Sequence, residues 1–77
     1  MASAKTIKSA IESMMFVWGD PLDIKAVADI FNIDRNEVYA YCKELQAEYE
    51  AEGRGIVIRE VNRSFQFVTR RENIDYI

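Results

Sequence analysis

Histidine is absent from the 77 residues, and cysteine, proline and tryptophan occur once each. Without an imidazole there is no ordinary base to activate a serine or cysteine nucleophile, and the commonest metal ligand is missing. The lone Cys42 permits neither an intramolecular disulfide nor a multi-cysteine metal site. A reducing, cytoplasmic setting is the simplest home for such a chain. No apolar run approaches the ~20 residues of a membrane-spanning helix, and the first residues lack the apolar core of a signal peptide. Glycine is scarce, and its one concentrated spot, Gly53-Arg54-Gly55, lacks the lysine and spacing of a phosphate-binding loop. An excess of positive charge is missing too: the net charge is −3, which argues against a stand-alone nucleic-acid binder. The expectation is a chain with no catalytic residues, no cofactor and no metal, and hence not an enzyme.

What is present is enough apolar material, 49% of the residues, for one small domain. A core of this size supplies only ~3–5 kcal/mol, which favours self-association or membership of a longer chain. The organising stretch is Val27 to Val38. Ala28 is small enough for two helices to cross closely, and Asn32 tolerates the left-handed backbone of a sharp turn. Ile33 plugs the gap between the helices. Asp34 caps the next helix, with Glu37 placed to complete a capping box. Together these predict a helix-turn-helix.

Around it, a first helix is expected from about Lys5 to Trp18, after a frayed 1–4. Its stripe is Ile7, Ala10, Ile11, Met14 and Trp18, with Met15 and Val17 on the shoulders. Gly19 and Pro21 end it. Pro21-Leu22 is extended. Asp23 caps a second helix, about Ile24 to Phe31. The third runs from about Arg35 to Glu52, burying Val38, Cys42, Leu45 and Tyr49, with Gly53 just past its end. Two alternating runs, Ile56–Arg59 and Phe65–Val68, flank a turn at Asn62-Arg63-Ser64 and predict a β-hairpin. Thr69-Arg70-Arg71-Glu72 reads as a capping box opening a fourth helix. The fold class is mainly α with a small hairpin, a winged helix-turn-helix over residues 5–77.

The charges are segregated. From Asp34 to Glu52 there are six acids and two bases; from Arg54 to Arg71 five arginines face one acid, Glu60. Phosphates repel the acidic third helix, which in a DNA-binding winged helix would enter the major groove. The arginines Arg54, Arg59, Arg63, Arg70 and Arg71 are the candidates for contact with phosphate or an acidic partner. This leaves open a DNA-binding regulator that uses its basic wing. Aromatics outnumber the places a small core offers them. Phe16 and Tyr39 are expected to point away from the inner stripes, and Phe65 and Phe67 share one face of the hairpin. Met15, Phe16, Trp18, Tyr39, Phe65 and Phe67 are therefore the candidates for a dimer or partner interface. Cys42, on an inner stripe, is read as a small hydrophobe.

The residues Ile7-Lys8-Ser9-Ala10-Ile11-Glu12-Ser13, Phe16-Val17 and Gly19-Asp20-Pro21-Leu22 resemble the start of bacterial segregation and condensation protein B. The similarity continues through Leu45 to Tyr49, Gly53-Arg54-Gly55-Ile56, Arg59-Glu60-Val61 and Gln66-Phe67-Val68-Thr69-Arg70. The resemblance implies the first of two winged-helix modules and a non-enzymatic homodimer. It also implies binding to the central region of a kleisin, segregation and condensation protein A, and through it to an SMC ATPase. The implied role is chromosome condensation and segregation, in the cytoplasm at the nucleoid. Two departures stand out. Trp18 occupies a position that is usually small, and Asn62-Arg63-Ser64 replaces a more glycine-rich turn.

Overall fold

The computed structural model describes residues 2–77. In order, the chain forms α1 (Ala4–Trp18), α2 (Ile24–Phe31), α3 (Arg35–Ala51), β1 (Ile56–Val61), β2 (Ser64–Thr69) and a closing 3₁₀ turn, Arg71–Tyr76. This is a winged helix: three helices around one core, with the hairpin laid against α3 and α1.

Local chemistry sets most boundaries. The Ser3 hydroxyl accepts the Thr6 N–H and starts α1 at Ala4, so residues 3 and 4, expected to fray, are ordered. Of the rest of that expected frayed end, Ala2 has no regular structure and Met1 lies outside the described residues. Gly19, at φ 72°, closes α1 in the left-handed region. Asp23 caps α2 through the Lys25 N–H. Asn32 turns the chain at φ 54°, and the Ile33 N–H reaches back to the Ala28 carbonyl at 3.0 Å. Asp34 caps α3 by accepting the Asn36 N–H at 2.7 Å. Glu37 does not complete the expected box; its carboxylate instead accepts the Tyr41 hydroxyl one turn on.

The core comprises Ile7, Ile11 and Met15 from α1, Leu22, and Ile24, Val27 and Ala28 from α2. To these α3 adds Val38, Cys42, Leu45 and Tyr49, and the hairpin adds Ile58 and Phe65. The α3 stripe is the one read from the sequence. On α1 the stripe is rotated: its centre runs Ile7–Ile11–Met15 at four-residue steps, and Met14 is only partly buried. Trp18 sits at the rim, 41% exposed.

The hairpin pairs Ile56 with Thr69 through Val61 with Ser64. Its turn is two residues, Asn62 and Arg63, both left-handed at φ 51° and 62°, as a primed turn requires. The arginine bears a strain of ~1–2 kcal/mol there. Its guanidinium, 4.3 Å from the Tyr39 ring centroid, offsets part of that. The Leu22 N–H donates to the Phe65 carbonyl, adding a one-residue bridge outside β2.

The fourth helix is absent in the form expected. Thr69 stays extended, paired with Ile56, and the Arg70 N–H is taken by the Gly55 carbonyl, so Thr69 is not free to cap. The following residues form only the 3₁₀ turn, with no side-chain cap and nothing buried. So short a helix cannot stand without packing. Among the described residues no helix is long and apolar enough to cross a membrane.

Candidate interaction surfaces

The end of α1 is one of two clusters of exposed large apolar side chains; the other is Ile74, Tyr76 and Ile77. Ser9, Ser13 and Phe16 lie around the helix from the buried stripe, so Phe16 is 77% exposed and Val17 75%. Neither is explained by the protomer's own core. Trp18 lies beside them, half out. Two other interface candidates prove to be interior. Met15 is 2% exposed, because it continues the Ile7–Ile11 row; Phe65 is fully buried, because β2 packs inward between α1 and α3. They hold the fold and offer no surface to a partner. Tyr39 is also largely spent inside the protomer. Its ring meets Phe65 edge-on at 5.5 Å, and its hydroxyl donates to Glu60 at 2.8 Å. Phe67 is half-buried, against Tyr49 at 5.3 Å.

The junction of α3 with the hairpin pairs part of the segregated charge. Glu60 accepts from both Tyr39 and Lys43, the latter at 3.1 Å. The Tyr39 hydrogen bond first, and the Lys43 ammonium after it, hold the Glu60 carboxyl below the usual range. The same hydrogen bond raises Tyr39. Arg70, its side chain only 15% exposed, reaches Glu50 at 3.2 Å and also donates to the Arg54 carbonyl. Arg54 pairs with Glu52 and lies 5.0 Å from the Tyr49 ring centroid. Arg63 bonds Asn36 while covering Tyr39. Two of the six acids, Glu50 and Glu52, thus pair with arginines of the basic stretch, while Glu44 and Glu48 pair with Lys8 of α1. Of the five arginines only Arg59 and Arg71 lack a polar side-chain partner among the described residues, which weakens the case for a phosphate-binding wing.

Gln46 has a role that sequence pattern does not signal. The Arg70–Gly55 bond fixes the alternation of the ladder, so the Ile58 carbonyl points away from β2. Gln46 donates to it at 2.9 Å and blunts the free edge of β1.

Along the seam between α1 and α3 run two open grooves. One, about 400 Å³, is bordered by Lys5, Lys8, Ser9, Glu12, Glu44 and Glu48. The other, about 250 Å³, is bordered by Glu12, Ser13, Phe16, Tyr49, Ile56 and Phe67. Lys8 pairs with both Glu44 and Glu48, which raises its pKa, the Glu48 hydrogen bond most. The Tyr49 hydroxyl donates to Glu12, and burial first, then that bond, pushes Tyr49 up to about 12. Burial likewise pushes the Cys42 thiol up to about 12. It is an inert core residue, as its position on the stripe suggested. No cluster of acids or cysteine that could hold a metal ion occurs among the described residues.

Residues 9–77 match the family described as segregation and condensation complex subunit ScpB. The chain belongs to that family. The segregation and condensation protein B of Ruminiclostridium cellulolyticum is 35% identical over 72 residues, 94% of this chain and 38% of the relative. The chain thus spans well under half the length of the curated relatives it matches. Its fold superposes on ScpB from Mycobacterium tuberculosis with a TM-score of 0.89 at 21% identity, over 99% of this chain and 48% of that one. It also superposes on a dimer of ScpB N-terminal domain complexed with ScpA peptide, with a TM-score of 0.84 at 29% identity. That match covers 97% of this chain and 94% of the other. The family is described as a subunit of a segregation and condensation complex.

Proposed function

We propose that this winged helix is a non-catalytic interaction module: it self-associates and binds the central segment of a kleisin within an SMC complex that condenses and segregates chromosomes. On this reading it works in the cytoplasm at the nucleoid, as the first of two winged-helix modules. The observation that carries the proposal is the exposed apolar end of α1 in a domain of the ScpB family. Phe16, Val17 and Trp18 cost solvation free energy unless a partner covers them. The dimeric, ScpA-bound state of the 29% identical domain supports the same conclusion. Phe16 and Trp18 serve self-association, while Phe67, facing the smaller groove, is available to a bound segment. Met15, Phe65 and Tyr39 act only indirectly, by holding the surfaces in shape.

The test is the solution mass of the chain by light scattering across a concentration range. The unaltered chain is expected to be a dimer at high concentration, and Phe16→Ala with Val17→Ala to be a folded monomer. Unchanged mass in the double variant would remove the α1 end as the self-association surface.

A further inference from the structure

The end of α3 is charged against itself. A helix C-terminus is the negative end of the backbone dipole and favours cations. Here the last turn holds no basic residue, and Glu48, Glu50 and the capping Glu52 stand at that end. Glu44, Glu48 and Glu52 also follow one another at four-residue steps, a spacing at which like charges repel. Each of these glutamates takes its cation from outside the helix. Lys8 serves Glu44 and Glu48, Arg54 serves Glu52, and Arg70 serves Glu50.

Arg70 does more than pair with one of them. It stands just past β2, and its side chain is only 15% exposed. Its Nη1 donates to the Glu50 carboxylate at 3.2 Å. Its Nη2 donates at 3.4 Å to the Glu50 carbonyl, one of the last carbonyls, which lie beyond the α-helical ladder. Its Nε donates to the Arg54 carbonyl, and its backbone N–H to the Gly55 carbonyl at 3.1 Å. The Arg70 carbonyl then accepts the Asn73 N–H at 3.1 Å and starts the closing 3₁₀ turn. One residue thus fastens the helix end, the connection to β1 and the place where the chain leaves the hairpin.

We propose that Arg70 is a clasp that makes the last turn of α3, the 52–55 connection and the exit from β2 one conformational unit, which opens and closes together while the rest of the domain stays folded. Withdrawing the guanidinium leaves the glutamates of the helix end under-compensated, so the turn loosens. Conversely, moving the exit segment draws Arg70 away, and the disturbance reaches Tyr49. That residue lies in the same turn, its ring 5.3 Å from Phe67 and its hydroxyl on Glu12. The smaller groove, bordered by Tyr49, Ile56 and Phe67, keeps its shape only while the clasp is closed. The device links the direction of the chain after Thr69 to the shape of that groove, and it does not depend on what the groove binds.

The test is hydrogen exchange resolved to single amides, in low denaturant, on the unaltered chain and on Arg70→Gln. Three amides report on the unit: Glu52 and Gly53, bonded to the Glu48 and Glu50 carbonyls, and position 70, bonded to Gly55. Val38, buried at the other end of α3, reports on the rest of the domain. In the unaltered chain the three are expected to share one opening equilibrium, at lower free energy than that of Val38. In Arg70→Gln they are expected to exchange at least about tenfold faster, because hydrogen bonds from a charged donor are lost, with Val38 unchanged. Separate opening equilibria for the helix end and position 70 in the unaltered chain would overturn the clasp, and that measurement decides the matter even where the variant fails to fold. Arg70→Gln would also overturn it by speeding position 70 alone, or all four amides equally.

Discussion

Phe65 and Phe16 were equivalent aromatics in the sequence, and the fold sends them to opposite fates. Phe65 is fully buried, with Tyr39 edge-on against it, whereas Phe16 is 77% exposed. Phe65→Ala therefore empties a ring-sized space between α1 and α3 and loses the Tyr39 contact. Core truncations of this kind cost about 3–5 kcal/mol. A 77-residue domain has about 4–12 kcal/mol in all, at the usual stability per residue. The variant thus loses about a quarter of its stability at the least, and unfolds outright if the starting value is low. Phe16→Ala, which removes no buried contact, changes monomer stability by less than about 0.5 kcal/mol. Urea titration followed by tryptophan fluorescence separates the two. With a slope near 1 kcal/mol per molar, Phe65→Ala lowers the midpoint by about 3 M or more and Phe16→Ala scarcely moves it. The comparison is made at a concentration where the unaltered chain is monomeric, since self-association adds to apparent stability. A cost below about 1 kcal/mol for Phe65→Ala, or above about 2 kcal/mol for Phe16→Ala in the monomer, would falsify the assignment of core and surface.

Three further outcomes follow from the same contacts. Glu60 has a folded pKa below its usual value, so its contribution to stability is present above the ordinary carboxylate range and is lost as pH falls through the folded value. Glu60→Gln is expected to flatten the acid limb of a stability–pH curve, and an unchanged limb would show that the Tyr39 and Lys43 contacts to Glu60 add no stability. Tyr49 is raised to about 12, so its contribution is complete below pH 10 and is lost as pH climbs from 10 to 12. Tyr49→Phe is expected to shrink that alkaline loss. Cys42, buried and raised to about 12, is expected to resist a thiol reagent at pH 8 in the folded chain and to react at once in denaturant; rapid labelling of the native chain would contradict the α3 stripe.

The helix-turn-helix was legible because its signals are local. Asp23, Asn32 and Asp34 each act within a few residues, and the α3 stripe has a clear period. The hairpin followed from alternation, but its turn is Asn62-Arg63 alone: Ser64, read as part of the turn, pairs with Val61 in the ladder. The other errors have one cause: competition with distant groups. Thr69 looked like a cap until strand pairing with Ile56 claimed it. Glu37 was free to bond Tyr41 instead of closing the box. On α1, Met14 and Met15 are indistinguishable by hydropathy, and only the positions of α3 and β2 decide which faces inward. The interface candidates suffered most, because whether an aromatic is buried depends on what the hairpin covers. The charge blocks were read correctly as blocks, yet pairs such as Lys43–Glu60 and Arg70–Glu50 join residues 17 and 20 apart and have no sequence signature. Gln46 and the seam grooves were invisible for the same reason.

The account stands or falls on whether this domain is an interaction module. The most direct measurement is the light-scattering mass of the chain alone and mixed with the purified kleisin. Twice the chain mass alone, and a joint species of higher mass on mixing, is the expected result. A strict monomer at every concentration, with no joint species, would contradict the central claim.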